Sequence, residues 1–113
     1  MPYIHTQLSV ALSPKDREML KEFFGRGIAL LPGKSEEYLM LRFDTEVPMY
    51  FAGSSAPAAM VEVSIFGSEI PKEVDDLTHY ITESIAGVVD IQSERIYVKY
   101  TCTPYWGMGG ELF

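Results

Sequence analysis

The chain has 113 residues, 47% of them hydrophobic and 22% charged, with 9 Lys plus Arg against 16 Asp plus Glu and a formal net charge of −7. That apolar content is too high for a disordered polymer, and no run approaches the roughly 18–20 apolar residues of a membrane span. An acidic chain without a basic cluster is a poor partner for nucleic acid, and the single cysteine, Cys102, excludes an internal disulfide and an all-cysteine metal site. A domain of this length buries a modest core, so an enclosed pocket would need walls from a neighbouring chain.

The chain opens Met1-Pro2-Tyr3-Ile4-His5-Thr6, with no basic stretch, apolar run and cleavage site of a secretory signal. A small second residue such as Pro2 permits removal of the initiator methionine, which would leave Pro2 as a secondary amine. Pro2 then reads either as a stiff start to a strand or as a base. With Met1 retained its nitrogen is a tertiary amide and not basic. Tyr3 to Leu8 has the β-branched and aromatic content of a strand. Ser13-Pro14-Lys15-Asp16 reads as a helix start, with a Ser cap, Pro at the first helical position and an acid in the first turn. Leu20, Phe23, Phe24, Ile28 and Leu31 follow as one apolar stripe, and Pro32-Gly33 closes the helix. Tyr38 to Asp44 reads as the second strand, Val47 to Phe51 as a short extended piece and Gly53 to Pro57 as a loop. Ala59 to Phe66 reads as the third strand. Pro71 is expected to open a second helix carrying Val74, Leu77, Ile81, Ile85 and Val88 on one face. Arg95 to Thr101 reads as the fourth strand, and the tail from Pro104 to Phe113 has no firm assignment.

The two halves match at a constant shift. Pro14 and Pro71 stand 57 positions apart, as do Leu39-Leu41-Phe43 and Ile96-Val98-Tyr100, and Ile4-Thr6-Leu8 and Val61-Val63-Ile65. The reading is one domain over residues 1–113, built of pseudo-repeats at about 2–45 and 59–101. The fold class is α+β: a two-layer sandwich from a duplicated βαβ unit, with a four-stranded mixed sheet and both helices on one face. The alternation places Ile4, Thr6, Leu8, Leu39, Leu41, Phe43, Val61, Val63, Ile65, Ile96, Val98 and Tyr100 beneath the helices. The opposite face, with Tyr3, His5, Tyr38, Met40, Arg42, Glu62, Phe66, Tyr97 and Lys99, holds too many aromatics and methionines for a freely solvated sheet. It reads as a ligand platform or a subunit interface.

On their residues alone, other features read plainly. His5 and His79 lack a partner at metal-ligand spacing, and Gly107-Met108-Gly109-Gly110 lacks the strand-to-helix setting of a phosphate loop. Lys34 reads as a solvated loop lysine, Tyr97 as a half-buried strand tyrosine and Cys102 as a small hydrophobe.

Taken together, the Met1-Pro2 start, Gly33-Lys34-Ser35-Glu36-Glu37-Tyr38, Phe51-Ala52-Gly53-Ser54-Ser55-Ala56-Pro57, Ser64-Ile65-Phe66-Gly67 and Arg95-Ile96-Tyr97-Val98-Lys99-Tyr100 resemble the macrophage migration inhibitory factor group of the tautomerase superfamily. The resemblance implies a homotrimer whose sheets form an inner barrel, with active sites at subunit boundaries. It implies a cofactor-free, metal-free keto–enol tautomerase of phenylpyruvate-like aryl pyruvates. Pro2 would be the base, Lys34 a carboxylate partner and Tyr97 an acid supplied by the adjacent subunit. Tyr3, Tyr38, Ile65, Phe66, Lys99, Trp106 and Phe113 would line the substrate site.

Such chemistry suits these residue types. Enolisation needs a neutral base near physiological pH and a donor for the developing enolate oxygen. A terminal amine titrates roughly two units below a lysine, and burial and a nearby cation lower it further. Three departures from the group stand out. Lys99 occupies a position where animal members usually have Asn. The group's Cys-x-x-Cys pair falls on Ala58-Ala59-Met60-Val61, so thiol–disulfide activity is not expected. The tail is short and glycine-rich. The alternative reading is a cytokine-like protein engaging a cell-surface receptor, with the tautomerase pocket secondary. A third is another proton transfer of the superfamily, such as dehalogenation or decarboxylation, but no motif links Arg42 or Glu62 to Pro2. The expected location is cytoplasmic, with non-classical secretion as the variant that suits the cytokine-like reading.

Overall fold

The computed structural model describes residues 1–113. Strand β1 runs over Pro2–Leu8 and helix α1 over Pro14–Gly27. Ser13 sits in extended conformation before α1, and its Oγ accepts the Asp16 N–H at 3.0 Å, satisfying one of the free donors of the first turn. Strand β2 is Met40–Asp44, β3 is Ala59–Phe66, helix α2 is Val74–Val88 and β4 is Ile96–Thr103. A two-residue hairpin, β5 at Gly107–Met108 and β6 at Glu111–Leu112, gives the tail the structure its sequence left open. Gly109 and Gly110 both have positive φ and make its turn, which explains the glycine run.

Local chemistry shifts several expected boundaries. Strand β2 starts at Met40, because Glu36–Tyr38 forms a 3-10 turn whose Glu37 N–H is held by the Ser35 hydroxyl. Pro71 does not open α2. The Val74 N–H bonds the Pro71 carbonyl three residues back, and the helix begins only at Val74, behind Glu73, with no side-chain cap. Helix α1 ends at Gly27 and tightens into a 3-10 turn at Ile28–Leu30, so Leu31 lies beyond it although buried. Val47 to Tyr50 joins no strand, and Phe51 forms only an isolated bridge to Ser54.

The sheet order is β2-β1-β3-β4, with β1 and β3 antiparallel in the middle and each outer strand parallel to its inner neighbour. The parallel registers repeat. Tyr3 pairs with Met40 and His5 with Arg42 in the first half; Met60 pairs with Tyr97 and Glu62 with Lys99 in the second. Each member of one set lies 57 positions before its counterpart. The 3-10 turns starting at Glu36 and Ser93 follow the same shift, whereas α2 begins three residues later than that shift requires. His5 and Glu62, themselves 57 apart, pair directly across the centre of the sheet.

One face packs under the helices. Ile4, Leu8, Val61, Val63, Ile65 and Ile96 join Leu20, Phe24, Ile28, Leu77, Ile81 and Ile85 in one buried cluster, with Leu39, Leu41, Phe43, Val98 and Tyr100 against its margin. This is the face that the period-two alternation marks as apolar. Helices α1 and α2 meet closely: a methyl group on Gly27 would stand 2.5 Å from the Tyr80 ring. The other face carries a row of polar groups, Arg42, His5, Glu62 and Lys99, one on each strand. Asp44 Oδ2 lies 2.7 Å from His5 Nε2, and its Oδ1 accepts from Arg42 Nε at 3.2 Å. The bond from His5, helped by that from Arg42, holds the Asp44 carboxyl below its ordinary range.

Thr6 is fully buried beneath the helices, and its Oγ1 has no hydrogen-bond partner. An unpaired buried hydroxyl costs about 1–3 kcal/mol, and valine has the same shape without it. Thr6→Val is therefore expected to stabilise the fold by about 1 kcal/mol, a rise of roughly 4 °C in melting temperature. Thermal unfolding followed by circular dichroism checks this.

Candidate functional site

The site candidates gather where β1 begins. The register sets Pro2 opposite Ile65, and the Phe66 N–H donates to the Met1 carbonyl at 3.0 Å. Pro2 is buried at the end of the alternating inward row of β1. Lys34 reaches the same place from the far end of α1. Gly33, at φ 71°, takes the left-handed turn that follows the helix, and the Lys34 N–H bonds the Leu31 carbonyl at 3.2 Å. The Lys34 ammonium then donates to the Phe66 carbonyl at 3.2 Å, so the peptide groups flanking Phe66 are both engaged at the chain's amino end.

Two adjoining clefts flank this junction. The larger, of ≈ 900 Å³, is lined by residues that include Pro2, Tyr3, Tyr38, Arg42, Trp106 and Met108, with Met1, Met40, Ser64 and Thr103 among the others. The smaller, of ≈ 300 Å³, contains Lys34, Ile65 and Phe66. The tail hairpin supplies one wall. The Phe113 N–H bonds the Trp106 carbonyl at 3.0 Å, closing the hairpin, and the Phe113 ring lies 5.9 Å from that of Phe66.

The structure thus brings together eight of the sequence-selected residues: Pro2, Tyr3, Lys34, Tyr38, Ile65, Phe66, Trp106 and Phe113. It does not bring Tyr97 or Lys99 to Pro2 within one chain. Tyr97 pairs with Met60, five positions along β3 from Ile65, which is about 17 Å; Lys99 pairs with Glu62, about 10 Å away. Tyr97 is 57% exposed on the open face, its ring edge-on to Phe51 at 4.9 Å. Sequence reading did not select Met40, Arg42, Ser64, Thr103 or Met108 as cleft residues. Their place follows from sheet order and from the hairpin, neither of which has a local motif. No three His, Cys, Asp or Glu side chains converge in a way that would hold a metal ion.

Electrostatically, this end of the molecule disfavours a protonated amine. The α-amino group of Met1 is lowered from its ordinary value, first by burial and second by the Lys34 cation.

The sequence matches the family described as Macrophage migration inhibitory factor (MIF) over residues 1–111. The chain belongs to the MIF family. Its fold is close to that of Leishmania major MIF2, with a TM-score of 0.93 and 35% identity, covering 100% of this chain and 97% of that one. A MIF homologue from Prochlorococcus marinus superposes at a TM-score of 0.87 with 29% identity, covering 98% of both chains. Toxoplasma gondii MIF gives 0.87 at 22% identity, over 98% and 99%, a likeness of fold. No curated protein sequence matches the chain. The α+β architecture, four-stranded mixed sheet and paired helices are those of a MIF, tautomerase-type fold. No helix is long and apolar enough to cross a membrane.

If Lys34 acts on the terminal amine through space, removing its charge must raise that amine's pKa towards the ordinary value, while burial keeps it below. Lys34→Gln is expected to shift the amine titration to higher pH. The pH dependence of amine acylation, followed by mass spectrometry, reads this directly.

Proposed function

We propose that this MIF-family chain is a cofactor-free keto–enol tautomerase of phenylpyruvate-like aryl pyruvates, with Pro2 as general base once Met1 is removed. One observation carries the reading: a buried Pro2 shares the end of the sheet with Lys34, where burial first and the lysine's charge second lower the amine already there. A Pro2 secondary amine in that setting would be held more in its neutral form than a free one, and so be better able to take a proton. Its ring leaves little conformational freedom to lose.

In the proposed reaction the aryl pyruvate spans the two clefts, with its ring against Tyr3, Tyr38 and Trp106 of the larger and Phe66 of the smaller. Lys34 holds its carboxylate as a point charge. The Pro2 nitrogen removes a proton from the carbon next to the carbonyl, and negative charge develops on the carbonyl oxygen. Tyr97 of an adjacent copy donates to that oxygen, in keeping with its distance from Pro2 in one chain. Proton return at oxygen completes the enol, and the reverse sequence restores the ketone. A homotrimer, with the open sheet faces turned towards one another, is the assembly we propose to bring Tyr97 and Lys99 of one copy to Pro2 of the next.

Met1 removal would do two things. It would convert a tertiary amide into a basic amine, and it would release the Phe66 N–H from the Met1 carbonyl as a donor for a substrate oxygen. The 2-oxo acid 2-oxo-3-pentynoate, which inactivated the same-fold protein Pt0534, supplies a chemical probe. Its alkynyl ketone accepts an amine by conjugate addition.

Pro2→Gly is expected to lower kcat/KM for phenylpyruvate enol–keto conversion by about 10²–10⁴-fold, the usual worth of a positioned base. Incubation with 2-oxo-3-pentynoate should add one probe mass to the amino-terminal peptide of the Met1-free protein. Wild-type turnover in Pro2→Gly, or labelling elsewhere in the chain, would overturn the reading.

A further inference from the structure

We propose that Arg95 is a positioning residue: it fastens the Phe51–Pro57 loop and, through the Phe51 ring, fixes the direction of the Tyr97 phenol. The reaction in which Tyr97 serves rests on the function proposed above; the positioning itself rests on geometry within one chain.

Arg95 closes the 3-10 turn Ser93–Arg95 and stands two residues before Tyr97. Its guanidinium makes no ion pair. Instead it donates to four backbone carbonyls of a single loop. Nε reaches Pro57 at 2.9 Å, Nη1 reaches Phe51 at 3.2 Å, and Nη2 reaches Ser54 at 3.1 Å and Ala56 at 3.0 Å. Its carbon also sits 5.1 Å from the centre of the Phe51 ring. A planar fork with five donors can serve several carbonyls in fixed directions; a lysine offers one compact charge and cannot.

The loop needs such a fastening. It is largely exposed, and its own structure consists of the paired bonds between Phe51 and Ser54, each at 3.0 Å, and an Ala56 N–H bond to the Ser54 hydroxyl at 3.1 Å. Those bonds close over Ala52 at φ 54° and Gly53 at φ 74°. The left-handed conformation crowds the Cβ of a non-glycine residue, so Ala52 favours opening of this turn. The Arg95 bonds to Phe51 and Ser54 grip both of its ends.

Phe51 transmits the constraint. Its ring meets the Tyr97 ring edge-on, at 4.9 Å and 66°, and the Arg95 cation lies over the same ring. Tyr97 lies on the edge strand β4, is more exposed than buried, and its phenol makes no hydrogen bond within the chain. Phe51 is therefore the support against which its side chain rests.

The test uses Arg95→Lys and Phe51→Leu, each in the full chain, with 3-fluorotyrosine placed at position 97. Both variants should move or broaden the fluorine resonance, and Arg95→Lys should also speed proteolysis within the loop. For phenylpyruvate tautomerisation, Arg95→Lys should lower kcat by about 10–100-fold with KM within about twofold, the effect of a misplaced group rather than lost binding. The same substitution in a Tyr97→Phe background should cost little more. An unchanged fluorine resonance in both variants would overturn the proposal, whatever the activity. A resonance that moves while Tyr97→Phe turns over at the wild-type rate would support the positioning and remove Tyr97 from the reaction.

Discussion

The antiparallel pairing of β1 with β3 is the constraint on which the rest of the molecule depends. It fixes Pro2 against Ile65 and brings the Phe66 amide to the chain's first carbonyl. It also places His5 opposite Glu62, so that one half-molecule is turned onto the other about the middle of the sheet. Because the side-chain period of a strand is two, this register decides everything that follows. Slipping it by one residue would turn Ile4, Thr6 and Leu8 to the open face and bring Tyr3 and His5 under the helices. The apolar core and the position of the candidate base are thus set by the same set of backbone bonds.

Much of this was legible in the sequence because it is periodic. Alternation gave the buried face of all four strands, and the stripes Leu20-Phe24-Ile28 and Leu77-Ile81-Ile85 gave the helices and their burial. The shift of 57 positions, seen in side-chain type alone, reappears as an identical parallel register in both halves. The errors fall where local hydrogen bonding outweighs pattern. Tyr38 alternates correctly for a strand, yet the Ser35 hydroxyl captures an amide and holds Glu36–Tyr38 in a 3-10 turn. Pro71 has the stiffness to begin a helix, but unlike Pro14 it has no hydroxyl ahead of it to cap one.

The candidate site was legible in part for a different reason. Pro2, Lys34, Ile65 and Phe66 lie in short motifs that match the family along most of the chain, and their convergence follows from the β1–β3 register and the turn at Gly33. Arg42, Met40 and Met108 belong to the cleft through sheet order and a hairpin closed by two glycines, and no spacing in the sequence announces that. Arg95 is the extreme case. Its four acceptors are backbone carbonyls, which carry no residue identity, so its partners cannot be read from side-chain type. The net charge of −7 is equally blind to placement: the ammonium of Lys34 works locally, against a single carbonyl and an amine.

The polar row across the open face has a consequence for how copies of the chain avoid the wrong association. Both outer strands, β2 and β4, leave a backbone edge uncovered in the single chain, and bare edges invite sheets to grow end on end into fibres. Arg42 stands on one rim and Lys99 on the other, in the same row. Joining β2 of one copy to β4 of the next with those rows aligned would set the Lys99 ammonium beside the Arg42 guanidinium, whose charge Asp44 offsets only from its own side. Like charges directly opposite oppose strand pairing, so the cations act as gatekeepers of the sheet's margins and bias growth away from open-ended stacking.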